Sequence, residues 1–199
     1  LREEERRMTY ILTPQSELEA VNEILSSIGS SPVDTLDESL DVDVINAKRL
    51  LEATSREIQS RGWYFNTEDS VTLQPDTDSN MVPCPENYLV FYSDGYQLVR
   101  QSGYFFDIAS RTSEFPNGLT VTLIRYLQFD ELPEVFRKYI TVRTARLFQM
   151  RFLGAQELDV SLQFAESEAY SAIVDFDLKT GNYNIYNDDT FNSGNIGRS

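Results

Sequence analysis

Apolar residues recur by threes and fours from Leu18 through Val21, Leu25 and Ile28, the step that lays side chains along one stripe of an amphipathic helix. Thr13 and Pro14 before this run suit a cap and a first helical turn, and Gly29 after it accepts a left-handed closing conformation, so the sequence predicts a helix between them. A polar loop with Pro32 and the acids Asp34, Asp37, Glu38 and Asp41 follows. The helical step then returns at Val44, Ala47, Leu51, Thr54 and Ile58 and closes at Gly62. Two helices with short stripes and one loop between them most simply form an antiparallel hairpin.

The period changes at Trp63, where aromatic and β-branched residues replace helix formers and Pro, Asn and Gly punctuate the chain. Candidate strands are residues 63–66, 71–74, 88–92, 96–100 and 104–108, with Ser93-Asp94-Gly95 as a hairpin turn. The clearest strand follows Asn117-Gly118, where Leu119, Val121 and Leu123 alternate with Thr120 and Thr122, the period of a sheet with one dry face.

Helical spacing resumes after Pro133. Phe136, Ile140, Thr144 and Leu147 form one row and Val135, Tyr139 and Val142 a second, so a wide face of this helix is expected to be buried before Gly154 ends it. A fourth helix carries Leu158, Leu162, Ala165, Ala169, Ala172 and Phe176 on its stripe. Beyond Gly181 the run is rich in Asn and Gly and lacks a core pattern, which predicts an extended tail. The fold class is therefore α+β, a four-helix bundle with an inserted antiparallel β domain. The expected divisions are a charged lead at 1–7, a bundle from 8–62 and 130–178, a β insertion at 63–129 and a C-terminal arm at 179–199.

Composition narrows the chemistry. The 199 residues contain no histidine, which removes Ser-His-Asp and Cys-His nucleophile systems and His-ligated zinc. Cys84 is the single cysteine, so no intrachain disulfide forms, as expected of a reducing cytosol. A formal net charge of −15 opposes binding to a phosphate backbone. No apolar run is long enough for a transmembrane helix, and the charged LREEERRM lacks the apolar core of a signal peptide. With Leu rather than Met at position 1, the natural start is expected nearer Met8.

Local constellations carry little chemistry. Asp76-Thr77-Asp78-Ser79-Asn80 opens like a calcium loop, but Met81 stands where such a loop needs Gly and Asn87 where it needs a bidentate Glu, so a solvated acidic turn and no metal is the expectation. The pairs Asp41 with Asp43, Asp130 with Glu131, and Asp175 with Asp177 have the residue types of a glycoside hydrolase, yet nothing in their spacing selects one pair. Cys84, between Pro83 and Pro85, reads as an inert side chain in a constrained turn. No catalytic residue and no cofactor is expected.

Charge segregation is more informative. The third helix holds Arg137, Lys138, Arg143, Arg146 and Arg151 against one acid, Glu134, whereas residues 157–189 hold eight acids and one base, Lys179. Two readings stay open: complementary surfaces on identical subunits, or two helices neutralising each other within one chain. In the tail, the spaced apolar residues Tyr183, Ile185, Tyr186 and Phe191 are candidates for gripping a partner, and Trp63 is the candidate anchor at the domain junction.

The strings ELEAVNEILSSIGSSPVDTL, INAKRLL, REIQSRGWYFNTE, VTLQPD, YFFDIASRTSEF and FDELPEVFRKYITVRTARLFQMRFLGA together resemble the tail tubular protein A family of short-tailed bacteriophages, of the podovirus and autographivirus type. The similarity runs in order from about Ser16 to about Tyr183, with SIGSSPV, SRGWYFN and RFLGA specific in combination. The resemblance implies a virion head-tail adaptor or connector, assembled in the host cytoplasm. It further implies a dodecameric ring that contacts itself, the portal protein, the tail nozzle protein (tail tubular protein B) and the tail fibre. Genomic DNA would pass through the lumen without specific binding, and no membrane is involved. Two alternatives are a tail-associated polysaccharide-degrading enzyme using paired carboxylates and a DNA-handling module using the basic third helix.

Overall fold

The computed structural model describes residues 14–36 and 41–185. Among them the chain runs through α1 (Glu17–Ser26), α2 (Val42–Gln59), β1 (Thr67–Leu73), β2 (Tyr88–Tyr92), β3 (Leu98–Gln101), β4 (Tyr104–Asp107), β5 (Leu119–Arg125), α3 (Glu134–Phe152) and α4 (Gln156–Ile185). The α+β class holds, as four helices and two small antiparallel sheets.

Helix α1 starts later than Thr13-Pro14 suggested, because Ser16 and Glu19 form a capping box. The Glu19 amide donates to Ser16 Oγ and the Ser16 amide donates to a Glu19 carboxylate oxygen at 2.8 Å. Asp41 caps α2 by accepting from the Asp43 amide at 2.8 Å. α3 is the centre of the helical part and packs against α1, α2 and α4. The apolar cluster there includes Val21, Ile24, Leu51, Ile58, Phe136, Ile140 and Phe148, and Trp63, Phe129 and Leu132 join it from outside the helices.

The larger sheet has the order β1-β5-β2 and the smaller is the β3-β4 hairpin. In the central strand Leu119, Val121 and Leu123 are buried while Thr120 is exposed, as the alternation predicted. Those three residues form a second apolar cluster with Val82, Cys84, Phe105 and Phe115. Gly118, at φ +80°, opens β5 where a Cβ would come within 2.9 Å of the Leu73 carbonyl oxygen, so the turn requires glycine for both conformation and space.

Three expectations are corrected. Residues 63–66 form a turn rather than a strand, because the Trp63 carbonyl accepts from the amides of Asn66 and Thr67 instead of a neighbouring strand. The turn at Ser93-Asp94-Gly95 does not close a hairpin: β2 pairs with β5, and β3 pairs with β4. The tail assigned to residues from 179 is still helical through Ile185. A helix already nucleated gains one hydrogen bond for each residue fixed, which offsets the poor propensities of Gly181, Asn182 and Asn184 where no proline interrupts. Residues 1–13, including Met8, and residues 186–199 lie outside the described residues.

Candidate assembly surfaces

The basic face of α3 is spent largely inside the chain. Arg143 donates from Nη1 to Glu166 at 2.8 Å and from Nη2 to Glu57 at 2.9 Å, joining α3 to both α4 and α2. Arg146 donates from Nε to Asp159 at 2.7 Å and from Nη1 to the second oxygen of Glu166 at 3.0 Å. The two arginine side chains are 24% and 22% exposed and Glu166 is 14% exposed, so these are half-buried, charge-assisted contacts. The carboxylates of Asp159 and Glu166 hold Arg146 well above the usual arginine range, and Arg146 holds Asp159 below the usual carboxylate range.

For Arg143 and Arg146 the geometry shows the internal reading of the charge segregation, with α3 neutralised by α4 and α2 of the same chain. Arg137 turns to backbone, donating from Nε to the Leu132 carbonyl at 2.8 Å and from Nη1 to the Gln15 carbonyl at 2.9 Å. Lys138 pairs with Glu23 of α1 at 2.7 Å. Arg151 is exposed and has no ion pair among the described residues. Tyr183 and Ile185 fall in the last turn of α4, and Tyr186 and Phe191 lie outside the described residues.

Trp63 stands where the chain leaves the helices for the sheet. Its ring meets Phe136 edge-on at 5.0 Å and its Nε1 donates to the Ile58 carbonyl at 2.7 Å. Two residues that sequence reasoning passed over complete this junction. Asn66 donates from Nδ2 to the Gln59 carbonyl at 3.0 Å and to the Arg125 carbonyl at 2.9 Å, and its Oδ1 accepts from the Trp63 amide at 2.9 Å. Gln59 donates to the Leu127 carbonyl at 3.0 Å and accepts from the Leu127 amide at 2.8 Å. The outgoing chain at 59–66 and the returning chain at 125–127 are thus tied by two carboxamides. Gly62 fits closely here as well, since a Cβ would meet Ile124 Cδ1 at 2.8 Å.

The carboxylates weighed as catalytic pairs have local structural partners. Asp130 accepts from the Glu17 amide at 3.2 Å, Glu131 from the Gln128 amide at 3.0 Å, Asp177 from the Tyr64 amide at 2.8 Å, and Asp175 pairs with Lys179 at 2.8 Å. Asp76 closes its own turn by accepting from the amides of Asp78 and Ser79. The Cys84 thiol is pushed up by burial, away from the thiolate that reactive chemistry needs.

What remains open is apolar. Between α1, α3 and α4 lies a groove of about 460 Å³ lined by Val142, Ala145, Leu162, Ala165, Ala169 and Ala172. Although it belongs to the stripe expected to be buried, Leu158 is 46% exposed, and on the far side of α4 Phe164 reaches 73%. Only Ile173 among the described α4 side chains is buried.

Residues 18–183 match the family model described as tail tubular protein (Tube). The chain is also 26% identical over 167 residues to tail tubular protein A of Klebsiella phage KP34, an alignment covering 79% of this chain and 84% of that protein.

Proposed function

The chain belongs to the tail tubular protein family and is a structural component of a phage virion tail; from that premise we propose that it is the adaptor ring between portal and tail nozzle. In this reading twelve copies, as the resemblance implies, form the ring. The portal protein sits above, the nozzle protein below, a tail fibre attaches at the side, and DNA passes through the lumen. The protein is a connector rather than an enzyme. The supporting observation is the span of the family match, which runs from the first turn of α1 to the last turn of α4 and takes in both apolar clusters.

Several features suit that role. In this reading the helical part and the β part offer different faces for different partners, with the hydrogen bonds of Gln59, Trp63 and Asn66 linking the chain where it leaves the helices and where it returns. The acidic balance of −15 lets DNA move past without adhering. Tyr183, Ile185, Tyr186 and Phe191 are proposed as contacts of a C-terminal arm with the portal or a neighbouring copy. Arg151, whose charge is unpaired among the described residues, is the member of the basic set best suited to a partner.

Electron micrographs of the protein mixed with its portal test the reading. Rings of twelvefold symmetry capping the portal are expected, and isolated monomers beside bare portals would overturn it. Truncation after Ile185 tests the arm, with folded protein that docks poorly as the expected result.

A further inference from the structure

Along the outer face of α4 the exposed Val160, Phe164, Ser167, Ser171 and Leu178, with the half-buried Val174 between the last two, follow one another by fours and threes, the spacing of a seam that faces another helix. Val160 is 69% exposed, Phe164 73% and Leu178 56%, and the two serines leave room for close approach midway. Glu157 and Glu168 flank the seam, exposed and without an ion pair among the described residues. A helix that is apolar on two faces normally has a neighbour on each. Among the described residues the element packed against α4 is α3, on its inner face, and no other helix packs on the outer one.

The complementary surface is on the same molecule. The outer edge of α2 presents Val42, 66% exposed, and Ile45, 37% exposed, followed one turn later by Arg49. Arg49 is exposed and has no ion pair among the described residues. An acid-flanked apolar seam on α4 and a base-bearing apolar edge on α2 match in polarity and charge. Both helices pack inward on α3, so one chain cannot bring these two outer faces together.

We propose that the outer face of α4 docks a second copy of this chain through the outer edge of its α2, with Phe164 and Val160 against Val42 and Ile45 and with Arg49 facing Glu168. This deepens the ring reading and rests on it. Because the two faces differ, the contact is heterologous and propagates from copy to copy, as a ring requires.

Sedimentation of the full chain at low salt, followed up to about 1 mM, tests the surface by its apparent dissociation constant. Phe164→Asp is expected to weaken association by at least about tenfold while leaving the circular dichroism unchanged, since a side chain 73% exposed is not part of the core. Arg49→Glu and Glu168→Arg should each weaken it, and the double exchange should restore it. Wild-type protein that stays monomeric throughout, or Phe164→Asp protein that associates like wild type, overturns the surface. Loss in Phe164→Asp without restoration in the double exchange overturns α2 as its seat. Electron micrographs of Phe164→Asp protein with portal separate the two readings: intact rings end this inference and leave the adaptor role standing.

Discussion

Each polar atom of the Asn66 side chain is committed, with Nδ2 donating to two carbonyls and Oδ1 accepting one amide in a residue 2% exposed. Removing the carboxamide takes this partner from the Trp63 amide and the Arg125 carbonyl, while the Gln59 carbonyl keeps the Gly62 amide at 3.2 Å, and an unsatisfied buried group costs roughly 1–3 kcal/mol. Asn66→Ala is therefore expected to lower stability by about 2–4 kcal/mol in urea denaturation. Trp63 is the chain's only tryptophan and is buried beside this junction, so its fluorescence reads that transition directly. For Trp63 itself, Trp63→Ala should cost about 3–5 kcal/mol. Trp63→Phe keeps a ring against Phe136 but loses the bond to the Ile58 carbonyl, and should cost nearer 1–2 kcal/mol. Equal losses by circular dichroism melting would mean that the indole N–H, not the ring, carries the anchor. Trp63 was legible in the sequence as the chain's only tryptophan, directly after a helix-ending glycine. Asn66 was not, because an asparagine near a glycine reads as an ordinary turn residue and nothing local reveals that one of its partners lies at residue 125.

At the scale of elements, the ion network decides what the basic helix does. Reversing Arg143 and Arg146 to Glu would surround Glu166, 14% exposed, with like charge. Breaking a buried pair costs about 3–5 kcal/mol, and these partly exposed arginines place the expected loss near the lower end. The double reversal should thus lower the melting temperature of the isolated subunit, whereas an unchanged melt would show the pairs to be idle. Asp159 adds a pH dependence whose sign is fixed. Its folded-state pKa is depressed by Arg146, so its contribution is complete above the unfolded value of about 4 and is lost as pH falls through the folded value. Asp159→Asn should consequently destabilise the protein near pH 7, and the gap to wild type should shrink below about pH 4. Periodicity located α1 to α4 and β5, where one element supplies its own stripe. It missed the last turn of α4, whose composition argues for a loop while chain continuity sustains the helix. It also assigned α4 one stripe when the helix carries two, since Leu162 and Ala165 already satisfied a helical step and hid the row from Val160 to Leu178.

For the whole molecule, the question is what field the surface presents to DNA. In the sequence α3 stands out as a basic helix within an acidic chain, which kept a DNA-handling role open. The structure directs Arg143 and Arg146 to carboxylates of α2 and α4, Arg137 to backbone carbonyls and Lys138 to α1. A helix whose cations are held this way offers no row of free charges to phosphates, and the net charge of −15 repels the duplex at longer range. Binding to a phosphate backbone is strongest at low ionic strength, because released counterions drive it. The stringent condition is therefore about 50 mM salt, where even weak electrostatic binding would be seen. We expect the purified protein to leave the electrophoretic mobility of duplex DNA unchanged there, and the Arg151→Glu variant to behave identically. A retarded band that disappears as salt is raised would show a phosphate-binding surface on the molecule. If Arg151→Glu abolished that band, the exposed end of α3 would be its location, and a lumen past which DNA slides without adhering would have to be given up.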